Sequence, residues 1–171
     1  MKRVAKFEKV SKENFVNAWL KINNDKNIVD NIYEEISLPK RATVGSAGYN
    51  IYAPDDFSLK AGESITIPTG IRVKITEGWV LKLYPRSGLG FKYRLQLNNT
   101  VGIIDSDYYY SDNEGHIFLK ITNDSRDNKN LTVLRGDAFC QGIFIEYGIT
   151  FDDDTTTQRN GGFGSTDRVK I

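Results

Sequence analysis

The sequence predicts an all-β protein, an antiparallel β-sandwich or jelly roll, and two observations support this fold class. First, the chain after Pro39 contains about eight short runs rich in β-branched and aromatic residues, separated by turn residues, which is typical of sandwiches and barrels. Second, 171 residues are enough for one domain that buries about 70% of its unfolded surface, and too few for two. One domain is therefore the expected architecture.

Residues 1–38 have a helical pattern. Apolar side chains recur three or four residues apart after Ser11, which is a suitable N-cap. These side chains are Phe15, Ala18, Trp19 and Ile22. A second helix is predicted at about residues 28–36. We therefore assign residues 1–38 to an N-terminal helical extension that covers part of a sheet.

The predicted strands follow this extension. They are residues 48–52, 64–67, 70–75, 79–84, 116–121, 131–134 and 139–147. We assign residues 39–151 to the β domain. The acidic and threonine-rich residues 152–157 have no apolar side chain to bury, so we assign residues 152–171 to a linker and a flexible, glycine-rich C-terminal tail.

Charge and cysteine content exclude several classes of function. With 23 basic and 22 acidic residues, the chain has no overall field that would attract nucleic acid or an anionic membrane. Cys140 is the only cysteine, which excludes intrachain disulfides and cysteine-bound zinc. No apolar run is long enough for a signal sequence or a membrane span, so we expect a cytoplasmic protein.

The C-terminal tail gives the clearest indication of function. Residues 159–167 combine three glycines with Phe163 and with the phosphate-binding side chains of Arg159, Ser165 and Thr166. So many glycines cost too much backbone entropy for the segment to fold alone. A flat, anionic ligand such as a nucleotide would stabilise it through stacking and phosphate contacts. The alternative is a frayed terminus.

A second phosphate-binding candidate follows the predicted strand at residues 79–84. Arg86 supplies a cation, Ser87 a hydroxyl, and Gly88 lets backbone N–H groups approach a ligand. A hairpin corner with a surface arginine has the same pattern, so these residues alone leave both interpretations open.

Two more polar groups interrupt apolar runs. Residues 97–108 are predicted to form a tight hairpin, and Asp105 lies near its end, beside two isoleucines. Such a carboxylate is either a turn cap or a base held in position. Gln141 lies within the apolar strand at 139–147, and a buried glutamine needs hydrogen-bonding partners, of which a ligand is one.

Together these segments resemble the five motifs of the homotrimeric deoxyuridine triphosphatases (dUTPases). The matching segments, in chain order, are AGYNI (47–51), PRSGLG (85–90), GIIDSDY (102–108), GDAFCQ (136–141) and RNGGFGST (159–166). The resemblance covers residues 39–167. It implies a jelly-roll-like β-sandwich, dUTP as substrate, Mg²⁺ as cofactor, and a homotrimer whose active sites are shared between subunits.

The resemblance also implies a role for each motif residue. The groups implied to bind the phosphates are Arg86, Ser87, Gly88, Gln141, Arg159, Ser165 and Thr166. Those implied to bind uracil and deoxyribose are Asn99, Gly102, Ile104, Tyr108 and Phe163, with Tyr108 beneath the sugar, where it excludes a 2′-hydroxyl. Asp105 would orient and deprotonate the water that attacks the α-phosphate, which yields dUMP and pyrophosphate.

Two positions depart from the family pattern. Asn50 stands where the first motif of the family carries aspartate. The resemblance implies a magnesium ion that is bound by the substrate phosphates and water, with residue 50 in its outer shell. An amide therefore replaces a carboxylate in that outer shell. The acidic and aromatic segment Tyr109–His116 is longer than usual and resembles loops of some bacterial and phage members. A plain long hairpin and a surface for a regulatory protein partner both remain open. We expect His116 to be a surface or strand-start residue.

The sequence thus favours dUTP diphosphatase activity. The alternative is a nucleotide-sensing regulatory protein on the same scaffold, which Asn50 and the Tyr109–His116 segment suggest. Asp105 and the complete tail favour the enzyme, because a sensor needs no carboxylate that activates water. The related dCTP deaminases fit poorly, because the hairpin and the tail that bears Phe163 resemble those of the dUTP enzymes.

Overall fold

The computed structural model of the protein describes residues 1–23 and 28–157. Within them, twelve strands, three α-helices and one 3₁₀ turn are present, in the order β1, α1, α2, β2 to β7, α3, β8, β9, the 3₁₀ turn and β10 to β12. The helices are α1 (Lys12–Leu20), α2 (Val29–Glu35) and α3 (Ser87–Tyr93), and the 3₁₀ turn spans Ser106–Tyr110. The strands are β1 (Ala5–Lys9), β2 (Lys40–Arg41), β3 (Tyr49–Tyr52), β4 (Phe57–Leu59), β5 (Ser64–Pro68), β6 (Ile71–Ile75), β7 (Trp79–Pro85), β8 (Leu95–Leu97), β9 (Gly102–Ile104), β10 (Phe118–Asn123), β11 (Leu131–Val133) and β12 (Ala138–Glu146).

The described strands form four small sheets. The largest has the order β2-β3-β12-β7-β9, and a second has the order β5-β10-β8. Two further pairs, β1-β6 and β4-β11, complete the layers. All of these pairings are antiparallel. The predicted all-β, antiparallel fold class is therefore confirmed.

The core lies between these sheets because apolar side chains alternate with polar ones along the strands. In β6, Ile71, Val73 and Ile75 are buried. Phe139 is completely buried and packs edge-on against Phe57, with ring centroids 5.8 Å apart. Each such side chain contributes about 1.5–3 kcal/mol by leaving water.

The N-terminal extension begins with a strand, which the helical pattern did not predict. β1 pairs with β6 over five residue pairs, from Ala5–Ile75 to Lys9–Ile71. The extension is thus part of a sheet as well as a cover over one. The division of the chain at residue 38 stays a prediction.

The two helices of the extension form as the sequence predicts, with one exception. Ser11 caps α1, because its Oγ accepts a hydrogen bond from the N–H of Asn14. Phe15 and Trp19 point into the core. Ile22 does not, because α1 ends at Leu20 and leaves Ile22 40% exposed.

Residues 152–157 are exposed, in agreement with a solvated linker. Within the described parts of the chain, no helix is long and apolar enough to cross a membrane. The predicted tail lies outside the described residues.

Candidate active site

A largely apolar cavity lies where β9, β10 and the loop before β9 meet. Its volume is about 490 Å³, within the range of small-molecule pockets. The residues predicted to bind uracil and deoxyribose line it together, and they are Asn99, Gly102, Ile104 and Tyr108. Phe163, the fifth of that group, lies outside the described residues.

The cavity forms because β8 and β9 belong to different sheets. β8 pairs with β10 and β9 with β7, so the loop between them crosses from one sheet to the other. The hairpin predicted for residues 97–108 is therefore wrong, since its two arms do not pair. Gly102 opposes Leu83, and a Cβ on Gly102 would lie 3.0 Å from the Leu83 Cβ, so a larger residue would require β7 or β9 to shift.

Tyr108 is fixed at the wall of this cavity by hydrogen bonds to its hydroxyl. The residue lies in the 3₁₀ turn and is only 5% exposed. Its hydroxyl donates to the carbonyl oxygen of His116 at 2.7 Å and accepts from Nδ2 of Asn113 at 2.8 Å. Both partners follow Tyr108 in the chain by fewer than ten residues, so the Tyr109–His116 segment sets the position of the phenol.

Asp105 lies beside the cavity rather than in it. Side chains alternate between the two faces of a strand. Gly102 and Ile104 consequently line the cavity, whereas Asp105 lines a neighbouring open groove with Lys82. Ile103 contributes to both. Within one chain, the structure therefore gathers the predicted nucleoside residues but does not bring the predicted base into the same cavity.

The turn predicted to bind phosphate is the start of a helix. Arg86 precedes α3, Ser87 is its first residue and Gly88 its second. The hairpin corner that we left open as an alternative is thus wrong. Arg86 and Ser87 line an open groove of about 400 Å³ together with Phe91, which is 93% exposed. A guanidinium, a hydroxyl and the first N–H groups of a helix are all donors that suit phosphate oxygens.

Arg86 is held by the strands on either side of it. Its guanidinium donates to Oδ1 of Asn50, and its backbone N–H donates to the carbonyl of Phe139 at 3.0 Å. The register of β12 against β3 shifts at Phe139, a bulge of the kind often found beside active sites. Gln141 opposes Asn50 across the β3–β12 pair and donates from Nε2 to the carbonyl of Pro85 at 3.3 Å.

Gly48 belongs to this cluster, although we did not single it out as a site residue from the sequence. A Cβ at Gly48 would lie 2.7 Å from Oε1 of Gln141. Only glycine therefore leaves the Gln141 amide its observed position. The signal was present in the AGYNI segment, where glycine directly precedes the strand that carries Asn50.

The cavity and the groove are separate in one chain. No described residue lines both of them. Arg159, Ser165 and Thr166, the remaining residues predicted to bind phosphate, lie outside the described residues.

The described residues offer no site that would bind a metal ion through protein ligands alone. Within residues 1–23 and 28–157, no three His, Cys, Asp or Glu side chains come together as metal ligands. Near Arg86, the side-chain oxygen atoms that could face a metal ion include the amide oxygens of Asn50 and Gln141. This donor set fits a magnesium ion held by phosphate and water oxygens, with Asn50 no nearer than its outer shell.

The Tyr109–His116 segment folds against the N-terminal extension and is not a plain hairpin. The Tyr109 hydroxyl donates to Glu8 at 2.6 Å, and this hydrogen bond lowers the pKa of the Glu8 carboxyl. The carboxylate of Glu114 accepts from both the N–H and the Oγ of Ser11, at 2.7 and 2.5 Å. These contacts connect positions about one hundred residues apart, which local sequence patterns do not reveal.

His116 is completely buried and lies two residues before β10, so of the two predicted positions the surface one is wrong and the one near the start of a strand is right. Nε2 accepts from the N–H of Gly70 at 2.9 Å, which places the ring proton on Nδ1, and Nδ1 donates to Oδ1 of Asn14 at 2.9 Å. Burial lowers the pKa of His116 to about 4, against the opposing effect of the Glu114 carboxylate. The imidazole is therefore neutral at pH 7 and has a single tautomer.

The fold and the site together define the class of protein. It is an antiparallel β-sandwich with one small-molecule cavity beside β9 and a separate groove, which contains Arg86, at the start of α3. A sequence model of the dUTPase family matches residues 34–167. The chain belongs to the dUTPase family, and the resemblance inferred from the five motifs is confirmed. Residues 1–33 lie outside the match.

Individual relatives agree with this assignment. The deoxyuridine 5′-triphosphate nucleotidohydrolase of Lactococcus lactis is 40% identical over 134 residues, which cover 77% of this chain and 88% of the relative. The crystal structure of the dUTPase from Streptococcus mutans is 31% identical with a TM-score of 0.61, and the match covers 84% of this chain and 97% of that one.

A more distant structure shares the fold. A mutant dUTPase from phage phi11 of S. aureus, described with a structural Mg(II) ion, has a TM-score of 0.62 and 20% identity, over 91% of this chain and 98% of that one. The jelly-roll-like fold predicted from the motifs is thus confirmed.

Proposed function

We propose that this protein hydrolyses dUTP to dUMP and pyrophosphate. The observation that supports this function most directly is the cavity, where four residues of the nucleoside motif come together in a chain of the dUTPase family. The name of the Lactococcus lactis relative, a deoxyuridine 5′-triphosphate nucleotidohydrolase, agrees with it. Nothing in the described residues or the comparisons favours the nucleotide-sensing alternative.

The cavity would select the nucleoside by polar pairing and by space. Asn99 and backbone groups of the adjoining loop pair with the uracil edge, and Ile104 and Gly102 form the apolar wall. A cytosine edge would leave these polar groups unpaired, which is costly in a closed site. Tyr108 lies beneath the deoxyribose and leaves no room for a 2′-hydroxyl.

The triphosphate is bound by the groove at the start of α3. Arg86, Ser87 and the N–H of Gly88 hold phosphate oxygens, and Gln141 holds the phosphate chain or the attacking water. From the tail, Arg159, Ser165 and Thr166 complete the clamp, while Phe163 covers the uracil. A homotrimer with shared sites accounts for the separation of cavity and groove in one chain, because a neighbouring subunit can supply the groove.

Asp105 acts as the base that orients and deprotonates water. A free aspartate has a pKa of about 3.9 and bulk water about 15.7, so the carboxylate alone is far too weak a base. Arg86 and Arg159 offset the difference by stabilising negative charge that develops at the α-phosphate. Mg²⁺, when bound to the phosphates, supplies further electrostatic stabilisation of the same charge.

The protein acts in the cytoplasm and binds neither nucleic acid nor a membrane. A regulatory protein partner at Tyr109–His116 would meet mainly Tyr110, which is 70% exposed, since much of this segment is occupied by the N-terminal extension.

Pyrophosphate release from dUTP, dCTP, dTTP and UTP tests the proposed function. We expect rapid, magnesium-dependent release from dUTP and at least about 100-fold lower kcat/KM for the other three nucleotides, because each presents a mismatched group to the cavity. Equal release from dCTP, or none from dUTP with magnesium, would overturn the proposal.

Asn50→Asp tests how the first motif acts on the metal. Asn50 accepts a hydrogen bond from Arg86, and a carboxylate would keep that bond while adding a negative charge beside the phosphates. We expect the magnesium concentration for half-maximal dUTP hydrolysis to fall by about 10-fold, since outer-shell changes commonly alter metal affinity by 10–100-fold.

The control is Asn128→Asp, which adds the same charge at an exposed position in the loop before β11. It should leave the magnesium titration unchanged. If Asn50→Asp also leaves both the magnesium requirement and the maximal rate unchanged, position 50 acts only as a structural partner of Arg86.

A further inference from the structure

A network of hydrogen bonds connects helix α1, which lies outside the matched family region, with the nucleoside cavity. Asn14 donates from Nδ2 to the carbonyl of Asn113 at 3.1 Å, and its Oδ1 accepts from Nδ1 of His116 at 2.9 Å. Asn113 and His116 are in turn the two residues that bind the Tyr108 hydroxyl. One amide side chain on α1 thus contacts both of the residues that hold the phenol, at the Asn113 carbonyl and the His116 ring, while the Asn113 side chain and the His116 carbonyl bind the phenol itself.

Two of the four residues of the network, Tyr108 and His116, are buried, and Asn14 and Asn113 are half-buried, so the two buried residues cannot exchange their partners for water without cost. Tyr108 is 5% exposed and His116 is completely buried. An unsatisfied donor or acceptor in such a place destabilises the arrangement, and the groups shift until they find new partners. Loss of the Asn14 amide would leave Nδ1–H of His116 without its observed partner and the Asn113 carbonyl with the His116 N–H, at 3.1 Å, as its remaining one.

The helix that carries Asn14 is itself fixed to the same segment. Ser11, its N-cap, binds the Glu114 carboxylate through two hydrogen bonds. The Phe15 ring packs against the imidazole of His116, with centroids 6.3 Å apart. Contacts of Ser11, which precedes Asn14, and of Phe15, which follows it, therefore hold Asn14 opposite Asn113 and His116.

We propose that Asn14 is a positioning residue for Tyr108, and that the N-terminal extension thereby sets the discrimination between deoxyribose and ribose. This inference rests on the function proposed above, in which Tyr108 lies beneath the sugar. The amide holds the His116 ring through Nδ1–H and the Asn113 backbone through its carbonyl, and the same two residues hold the phenol through the His116 carbonyl and the Asn113 side chain. A displacement of the ring by a fraction of an ångström would open space for a 2′-hydroxyl.

Asn14→Leu removes both hydrogen bonds and keeps the number and branching of the side-chain heavy atoms. We expect the ratio of kcat/KM for dUTP to kcat/KM for UTP to fall by about 10-fold, because small misplacements at a binding site have effects of this order or larger. The change should lie mainly in KM, since Asn14 does not contact the reacting groups. Asn17→Leu, at an exposed position of the same helix, is the matched control and should keep the wild-type ratio.

A spectroscopic measurement separates this inference from the proposed function. His116 is the only histidine of the chain, so its ring signals need no assignment by mutation. The Gly70 N–H keeps the ring proton on Nδ1 in every variant, so the readout is the ¹H and ¹⁵N shifts of Nδ1–H, which should report a hydrogen bond in the wild type and in Asn17→Leu and its loss in Asn14→Leu. If the wild type proves inactive on dUTP, loss of the Nδ1–H hydrogen bond together with altered Tyr108 ring shifts in Asn14→Leu would still support the positioning role.

Asn14→Asp provides a second variant in case the leucine variant fails to fold. It keeps an acceptor for His116 but removes the donor to Asn113. We therefore expect the Nδ1–H hydrogen bond of His116 to be retained, and the ratio of kcat/KM for dUTP to that for UTP to fall less than in Asn14→Leu. The inference is overturned if Asn14→Leu keeps the control's Nδ1–H shifts and Tyr108 ring shifts, or if a folded Asn14 variant matches Asn17→Leu in nucleotide discrimination.

Discussion

Asp105→Asn is expected to abolish most dUTP turnover while leaving nucleotide affinity nearly unchanged. Asparagine has the same shape as aspartate but cannot accept a proton, and loss of a general base typically costs about 10²–10⁴-fold in rate. The Asp105 backbone carbonyl, which accepts from the Tyr108 N–H at 3.3 Å, is unaffected, so the cavity should persist. Single-turnover hydrolysis and calorimetric binding of a non-hydrolysable dUTP analogue measure the two effects separately.

Asp107→Asn is the matched control for this experiment. Asp107 lines the same open groove as Asp105 and follows it by two residues, so its substitution removes the same charge from the same groove. It should retain turnover within a few-fold of the wild type. Near wild-type turnover in Asp105→Asn, or a larger loss in Asp107→Asn, would show that the base has been assigned to the wrong residue.

A chain that ends at Thr157 is expected to lose nearly all hydrolysis and to keep its fold. The truncation removes Phe163 and the three tail residues proposed to bind phosphate. The packed sheets lie within residues 1–157, so the melting temperature should change little. Pyrophosphate release, thermal unfolding and size-exclusion chromatography measure activity, stability and assembly.

Mixing two inactive chains tests whether sites are shared. The truncated chain contributes an intact Asp105, and full-length Asp105→Asn contributes an intact tail. If one site takes these parts from different subunits, trimers assembled by co-expression should regain activity that neither parent has. Mixed trimers that form, as shown by two affinity tags, yet stay inactive would contradict the shared site.

Local sequence patterns predicted the core strands because apolar and polar residues alternate along the sequence with the same two-residue period as side chains along a strand. In β6 the alternation of Ile71, Val73 and Ile75 with charged residues is visible in the sequence and decides which face is buried. β1 has no such signal, since Phe7 is its one large apolar residue and its partner strand lies more than sixty residues away. Only the tertiary pairing makes it a strand.

The residues of the candidate site were likewise predicted from the sequence only where local patterns carry the information. The motifs identified the residues around the cavity, because each motif is a short continuous segment. They did not indicate that Asp105 would line a different groove from Ile104, which follows from the pleat of β9. Nor could they indicate the burial of His116, which follows Asn113, Glu114 and Gly115 in the sequence and whose cover comes from Asn14 and Phe15.

The contact between α1 and the Tyr109–His116 segment has a consequence for biosynthesis. Ser11 leaves the ribosome long before Glu114, 103 residues later, and cannot make its hydrogen bonds until then. At synthesis rates of about 5–20 residues per second, this interval is roughly 5–20 s. During that time Phe15 and Trp19 have only part of their final packing, so the nascent chain presents an apolar helix to chaperones and proteases before the enzyme is complete.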